Sequence, residues 1–261
     1  MATSLITGAS SGIGAAFAEA MAARGDALIL VARSQDKLDA LAQRLRQRHG
    51  SKVETIVQDL TADNAAEAIA HTVDTLNLTV DILVNNAGFG DYGAFHERDR
   101  TKQLDMIRLN ILALTDLTYQ FLPAMVQRRS GHIINVGSIA SFQPIPYMAI
   151  YAATKAFVLS FSEALWVEVE PFGVKVLALC PGPTTTNFQA VAEFPDSMGN
   201  QAARLTMAAD AVVAEAMASL DSGVPNLVNG GPINQFLVNV SRFLPRSALV
   251  KSIGQQFRPQ T

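Results

Sequence analysis

Short runs rich in Val, Ile and Leu recur along the chain at positions 4–7, 27–32, 53–58, 81–84, 131–137, 174–180 and 226–228. Strict polar alternation is missing from them, which suits strands covered on both faces, as in parallel sheets. Between them, apolar residues return every three or four positions over 13–24, 35–48, 64–76, 98–128, 149–170 and 209–220, a period that predicts helices. Alternating strands and helices predict βαβ units with right-handed crossovers. The expected fold is therefore α/β, a doubly wound parallel sheet of about seven strands with helices on both faces. Ligands on such sheets bind at the carboxyl ends of the strands, where strand order reverses. No repeat, low-complexity tract or linker divides the pattern, which predicts a single domain over 1–261. Residues 183–207 fit no strand slot and read as a substrate lid. Residues 232–261 read as a C-terminal extension.

Of the 261 residues, 49% are hydrophobic and 16% charged, enough apolar material to exclude intrinsic disorder. A net charge of −3 excludes a general nucleic-acid binder, which needs a basic surface to neutralise phosphates. The single cysteine, Cys180, excludes an intramolecular disulfide and reads as a buried small residue. The first residues lack the basic and long apolar regions of a signal peptide, so a cytoplasmic location is expected. His49, His71, His96 and His132 show no metal-ligand spacing, and no metal is expected. After Asp221 no acid occurs, whereas Arg242, Arg246, Lys251 and Arg258 do, interleaved with Phe236, Phe243, Leu249, Ile253 and Phe257. This tail reads as an apolar stripe docked on the body or on a sister subunit. The alternative is a peripheral contact with a membrane surface.

Candidate chemistry begins at Thr7-Gly8-Ala9-Ser10-Ser11-Gly12-Ile13-Gly14, between the first strand and the first helix. Glycines allow a tight turn and close approach of a phosphate, and the helix start offers it free N–H groups. Gly8, Ser10, Ser11, Gly12, Ile13 and Gly14 are the candidate contacts. At the end of the second strand an acid would bind a ribose 2′-hydroxyl, whereas an arginine accommodates a 2′-phosphate. This chain has Ala32 followed by Arg33, which favours NADP(H) over NAD(H). Asp59 and Leu60 end the third strand, placed to meet an adenine edge; Asp59 is also a candidate cap for the helix near Asn64.

Tyr151 and Lys155 stand four apart, on one face of a helix. A neighbouring ammonium favours phenolate, so the expectation is a tyrosine of lowered pKa that exchanges a proton with a carbinol oxygen. Ser138, at the end of a strand, is placed to hydrogen-bond a carbonyl oxygen. Asn110 sits inside a predicted helix, where its propensity is poor. It reads as the holder of a water linking Lys155 to solvent, or as an exposed helix residue. Phe89, Tyr92, Phe142, Tyr147 and Phe188 suggest an apolar pocket beside these groups.

Together these residues resemble the short-chain dehydrogenase/reductase family. The resemblance rests on Thr7–Gly14, Asn85-Asn86-Ala87-Gly88, Asn110, Ser138, Tyr151-x-x-x-Lys155 and Pro181-Gly182, in family order over residues 7–188. It implies a Rossmann-type fold. It implies Tyr151 as acid/base, Ser138 as carbonyl orienter, Lys155 bound to the nicotinamide ribose and Asn110 in a proton relay. Asn86, Ala87 and Gly88 would touch the cofactor ribose, and Pro181, Gly182, Thr184 and Thr186 its nicotinamide end. The C-terminus departs from relatives that reduce acyl-carrier-protein thioesters: Asn229-Gly230-Gly231 replaces Asp-Gly-Gly, and about thirty residues follow.

The leading expectation is an NADP(H)-dependent oxidoreductase acting on a small-molecule ketone, aldehyde or secondary alcohol. The alternatives are a 3-oxoacyl-thioester reductase and a non-catalytic NADP-binding sensor or scaffold. Phe157, Phe161, Leu165 and Trp166 exceed the apolar arc that a surface helix needs, which points to a homo-oligomer.

Overall fold

Strands β1 (Thr3–Thr7), β2 (Ala27–Ala32), β3 (Val53–Val57), β4 (Ile82–Asn85), β5 (Gly131–Val136), β6 (Val174–Cys180) and β7 (Asn226–Val228) pair in parallel. They form one sheet in the order β3-β2-β1-β4-β5-β6-β7. The structure, a computed structural model, describes residues 1–195, 206–240, 243 and 245–259. Its helices are α1 (Gly12–Ala23), α2 (Gln35–His49), α3 (Ala65–Thr75), α4 (Arg100–Ile107), α5 (Leu114–Gln127) and α6 (Ala149–Val169). They continue with α7 (Phe188–Val191), α8 (Ala209–Ser219), α9 (Gly231–Val240) and α10 (Arg246–Phe257).

Side chains alternate across a strand, so one apolar run supplies two cores. Ile6, Leu28, Leu30 and Val84 pack with Phe17 and Met21 of α1, Leu38 and Leu45 of α2 and Val212 of α8. Leu5, Ile29, Leu83 and Ile133 face the other way, against Ile69 of α3, Leu117 and Phe121 of α5 and Leu165 of α6. This is why the strands read as continuous apolar runs.

Two regions differ from the sequence pattern. The predicted helix over 98–128 is interrupted: a π-helical stretch, Arg108–Ala113, separates α4 from α5. Asp99 caps α4 by accepting the Lys102 N–H at 2.7 Å. The tail, for which no element was predicted, forms α9 and α10. Ile253 of α10 is buried and packs with Leu249 and Phe257 onto Tyr92, Met106, Ile145 and Tyr151. The Tyr92 hydroxyl donates to the Phe257 carbonyl at 2.8 Å. Within the predicted lid, 196–205 lie outside the described residues, as do Arg242 and Leu244 of the tail. Among the described residues, no helix is long and apolar enough to cross a membrane.

Candidate active site

Strand order reverses at β1, between β2 and β4, which opens a crevice at their carboxyl ends. The loops leaving β1 and β4 are stitched together there. Thr7 Oγ1 donates to the Val84 carbonyl at 3.2 Å and accepts the Asn86 and Ala87 N–H groups at 3.0 Å each. The Asn86 side-chain amide donates back to the Thr7 carbonyl at 2.9 Å and the Gly8 carbonyl at 3.3 Å.

The turn after β1 keeps a cradle open. Gly12 has φ +55°, and a Cβ there would lie 3.0 Å from Thr186 Cγ2. Ser11 stands at the N-cap of α1 without a side-chain capping bond, so the first-turn N–H groups face the turn as an anion site. Gly14 is buried, Ser10 and Ile13 half-buried. Ala32, the last residue of β2, is buried, and Arg33 just past it is exposed. These features fit a phosphorylated dinucleotide.

For Asp59 the capping alternative needs correction. Asp59 Oδ1 accepts the Thr61 N–H at 2.9 Å and the Thr61 hydroxyl at 2.7 Å, closing its own turn. Those bonds, Thr61's backbone first, hold its carboxyl below the ordinary value, with the nearby Arg33 adding to the effect. Asp59 does not cap α3, whose N-cap is Asn64 with φ +58°. The Leu60 side chain is buried in the core with Val31 and Ile56.

Helix α6 carries Tyr151 and Lys155, both buried. Lys155 Nζ donates to the Val136 carbonyl at 2.7 Å and stands 5.9 Å over the Tyr151 ring. Ser138, following β5, accepts the Ala140 N–H on its hydroxyl oxygen at 3.1 Å. Burial pushes the Tyr151 phenol up to about 12, against a hydrogen bond with the Ser138 hydroxyl. Burial also pushes Lys155 down to about 8. The expectation that the ammonium lowers the phenol is therefore not met in this state, because desolvation dominates both groups.

Asn110 is the buried polar member of the π stretch, not an exposed helix residue. It is 1% exposed. Its Oδ1 accepts the Phe89 N–H at 3.1 Å, and its Nδ2 donates at 3.0 Å to both the Phe89 carbonyl and Thr154 Oγ1. It thus pins the loop carrying Ala87 and Gly88 to the residue before Lys155. A π bulge supplies this inward-facing polar group, as such bulges often do at functional sites.

The loop after β6 closes the far wall. The Pro181 carbonyl accepts the Ile139 N–H at 3.0 Å. Thr184 Oγ1 donates to the Gly182 carbonyl at 3.0 Å, and Thr186 Oγ1 accepts the Phe188 N–H at 3.2 Å. The Phe188 ring lies 5.2 Å from that of Tyr151. Phe89, Tyr92, Tyr147 and Phe188 converge as the pocket reading expected. Phe142 does not: it packs with Cys180, Val228 and Val238. Burial pushes the Cys180 thiol up to about 12. Among the described residues, no group of three or more His, Cys, Asp or Glu is placed to hold a metal ion.

Sequence reasoning missed the brace behind the site. The Asn85 amide donates to Asn135 Oδ1 at 2.9 Å and Thr118 Oγ1 at 3.0 Å, and the Asn135 amide donates to Ser162 Oγ of α6 at 2.9 Å. The available signal was an Asn inside each of two apolar strands, costly there unless bonded. Thr154 was also missed, whereas α10 docks on the body as the apolar stripe of the tail predicted, and does so over the site.

Residues 2–194 match the family model for short chain dehydrogenases. The chain is 32% identical over 246 residues to a very-long-chain 3-oxoacyl-CoA reductase from Bos taurus, covering 92% of this chain and 75% of that one. Against other reductases of the same name it spans only 52% to 57% of their length. Among solved structures, a short-chain dehydrogenase from Sphingobium yanoikuyae in complex with NADPH matches at 35% identity and TM-score 0.83, covering 100% of this chain and 97% of that one. A bulky-bulky ketone specific alcohol dehydrogenase from Comamonas testosteroni matches at 32% identity and TM-score 0.79, covering 96% and 94%. Fold, crevice and Ser–Tyr–Lys cluster define an oxidoreductase of the Rossmann type. The chain belongs to the short-chain dehydrogenase/reductase family.

Proposed function

We propose that the chain is an NADP(H)-dependent carbonyl reductase, interconverting a ketone or aldehyde with its alcohol. The observation that carries this reading is the cluster of half-buried Ser138 with buried Tyr151 and Lys155 at the end of a crevice opened by a glycine turn. The NADPH complex of the similar Sphingobium protein and the exposed Arg33 beyond Ala32 support the choice of cofactor. When bound, NADPH supplies the hydride. Tyr151, kept neutral by burial, holds a proton at Oη for the carbonyl oxygen, and Ser138 orients that same oxygen. Lys155, tied to the Val136 carbonyl, sets the charge beneath the ring. A second reading, reduction of a 3-oxoacyl thioester, is favoured by the names of the reductases similar to this chain.

The test is NADPH absorbance decay with ketone, aldehyde and acetoacetyl-thioester substrates, comparing wild type with Tyr151→Phe. Loss of turnover in the variant is expected; equal turnover refutes the role of Tyr151. Exposed Leu112, Tyr119, Phe157 and Val167 support a homo-oligomer. Light scattering at the mass of a single 27.9 kDa chain, with full activity, refutes that part.

A further inference from the structure

Beside the site, two cations converge on two carboxylates. Asp91 is completely buried at its side chain. It takes Arg98 through two bonds of 2.7 Å, Lys102 at 2.7 Å and the Gln103 amide at 2.5 Å. One buried carboxylate leaves the second cation unbalanced. Glu193 supplies that balance from another segment, accepting Arg98 at 2.6 Å and Lys102 at 2.5 Å. Glu193 is held less deeply, with its side chain 55% exposed. It has φ +59° just after α7, in the left-handed conformation that usually selects glycine.

The same segment carries the obstruction to chemistry. Phe188 lies against Tyr151, and its Cζ is 2.7 Å from where a Cβ on Gly90 would be. Phe194 stacks on Tyr92 at 5.2 Å. Were Phe188 to give way to a carbonyl seated against Tyr151, the short segment ending in Glu193 would move with it. Arg98 and Lys102 stay, because buried Asp91 anchors them, and they are then left with one uncompensated positive charge.

We propose that Arg98 and Lys102 form a binding site for an anionic group on the substrate, with the Glu193 carboxylate as its stand-in while the pocket is closed. A planar guanidinium fork beside an ammonium suits a phosphate. The ligand class is the phosphate of a coenzyme-A-type thioester, whose reactive carbonyl lies far from its charge. This rests on the thioester reading above.

The probes are pantetheine 4′-phosphate and pantetheine, which differ only in the phosphate. Both are titrated calorimetrically into NADPH-saturated protein, so that the cofactor crevice is closed to them. Wild type binds the phosphorylated probe about tenfold more tightly, the order expected of one charge-assisted contact. Glu193→Gln tightens only the phosphorylated probe, and Lys102→Met, in which Arg98 still pairs with Asp91, abolishes the difference. Equal affinity for the two probes, no binding of either, or a Glu193→Gln change that moves both alike overturns the site. NADPH turnover of an uncharged acetoacetyl thioester, run in parallel on all three proteins, reports on the thioester reading separately. Phosphate discrimination without thioester turnover upholds the site and removes that reading; turnover without discrimination does the reverse.

Discussion

Asn110→Ala removes one side chain and strands three partners. Phe89 loses a partner for its N–H and for its carbonyl, and Thr154 Oγ1 loses a donor, although it still donates to the Tyr151 carbonyl at 2.8 Å. Each buried polar group left unpaired costs about 1–3 kcal/mol, and Thr154 keeps one bond, so the expected destabilisation is about 3 kcal/mol. For a chain of this size that is roughly 6–12 °C in melting temperature. Thr154→Val breaks only the third contact and its expected loss is about 1 kcal/mol. Urea titration followed by circular dichroism measures both variants, and steady-state kinetics on the same samples follows kcat. The alanine variant is expected to lose kcat even at temperatures where it is fully folded, since the Phe89 loop is no longer tied to the helix that carries Lys155. A melting temperature within a degree of wild type, or equal losses in the two variants, refutes the argument.

Lys155 binds its proton less tightly when folded, at about 8 against an ordinary value of 10.5. The unfolded chain therefore holds the extra proton above about pH 8, and the stability of unliganded wild type rises with pH from there toward about pH 9, where ionisation of the Cys180 thiol in the unfolded chain, and near pH 10 that of tyrosine, begins to oppose it. Lys155→Met removes that rise; parallel pH profiles of the two proteins by chemical denaturation refute the assignment. Arg33→Ala is expected to raise the Michaelis constant for NADPH roughly 10- to 150-fold, from about 1.5–3 kcal/mol of charge-assisted contact, and to leave NADH nearly unchanged. An equal effect on both cofactors in initial-rate assays removes the phosphate role.

Strands and crossover helices were legible because each apolar run feeds both cores, so Leu5 and Ile6 reveal the sheet without knowledge of its partners. The Tyr151–Lys155 pair was legible because helical spacing alone places both on one face. The electrostatics of that pair was not, since the pKa of Tyr151 depends on how much solvent the roof excludes, and Ile253 reaches it from a hundred residues downstream. The cap of α3 was misread because Asp59 closes its own turn on Thr61, a local alternative that a side chain five residues before Asn64 does not reveal. Tail helices α9 and α10 are short, and their buried faces match surfaces that exist only once the sheet has formed.

The π-helical stretch Arg108–Ala113 makes the site sensitive to a single deletion. A π turn holds one residue more than an α turn, so it is geometrically equivalent to one residue inserted into a straight helix. Without the bulge, that extra residue would rotate everything after it by about 100°, the angle per residue in a helix of 3.6 residues per turn; the bulge absorbs it where it stands. A chain that loses one residue between 108 and 113 regains an unbroken rod, with α4 and α5 still in phase with the sheet and the inward place of Asn110 gone. Such a chain would keep its glycine turn, its serine and its tyrosine–lysine pair. The Asn110 contacts that couple loop to helix would be erased by one codon.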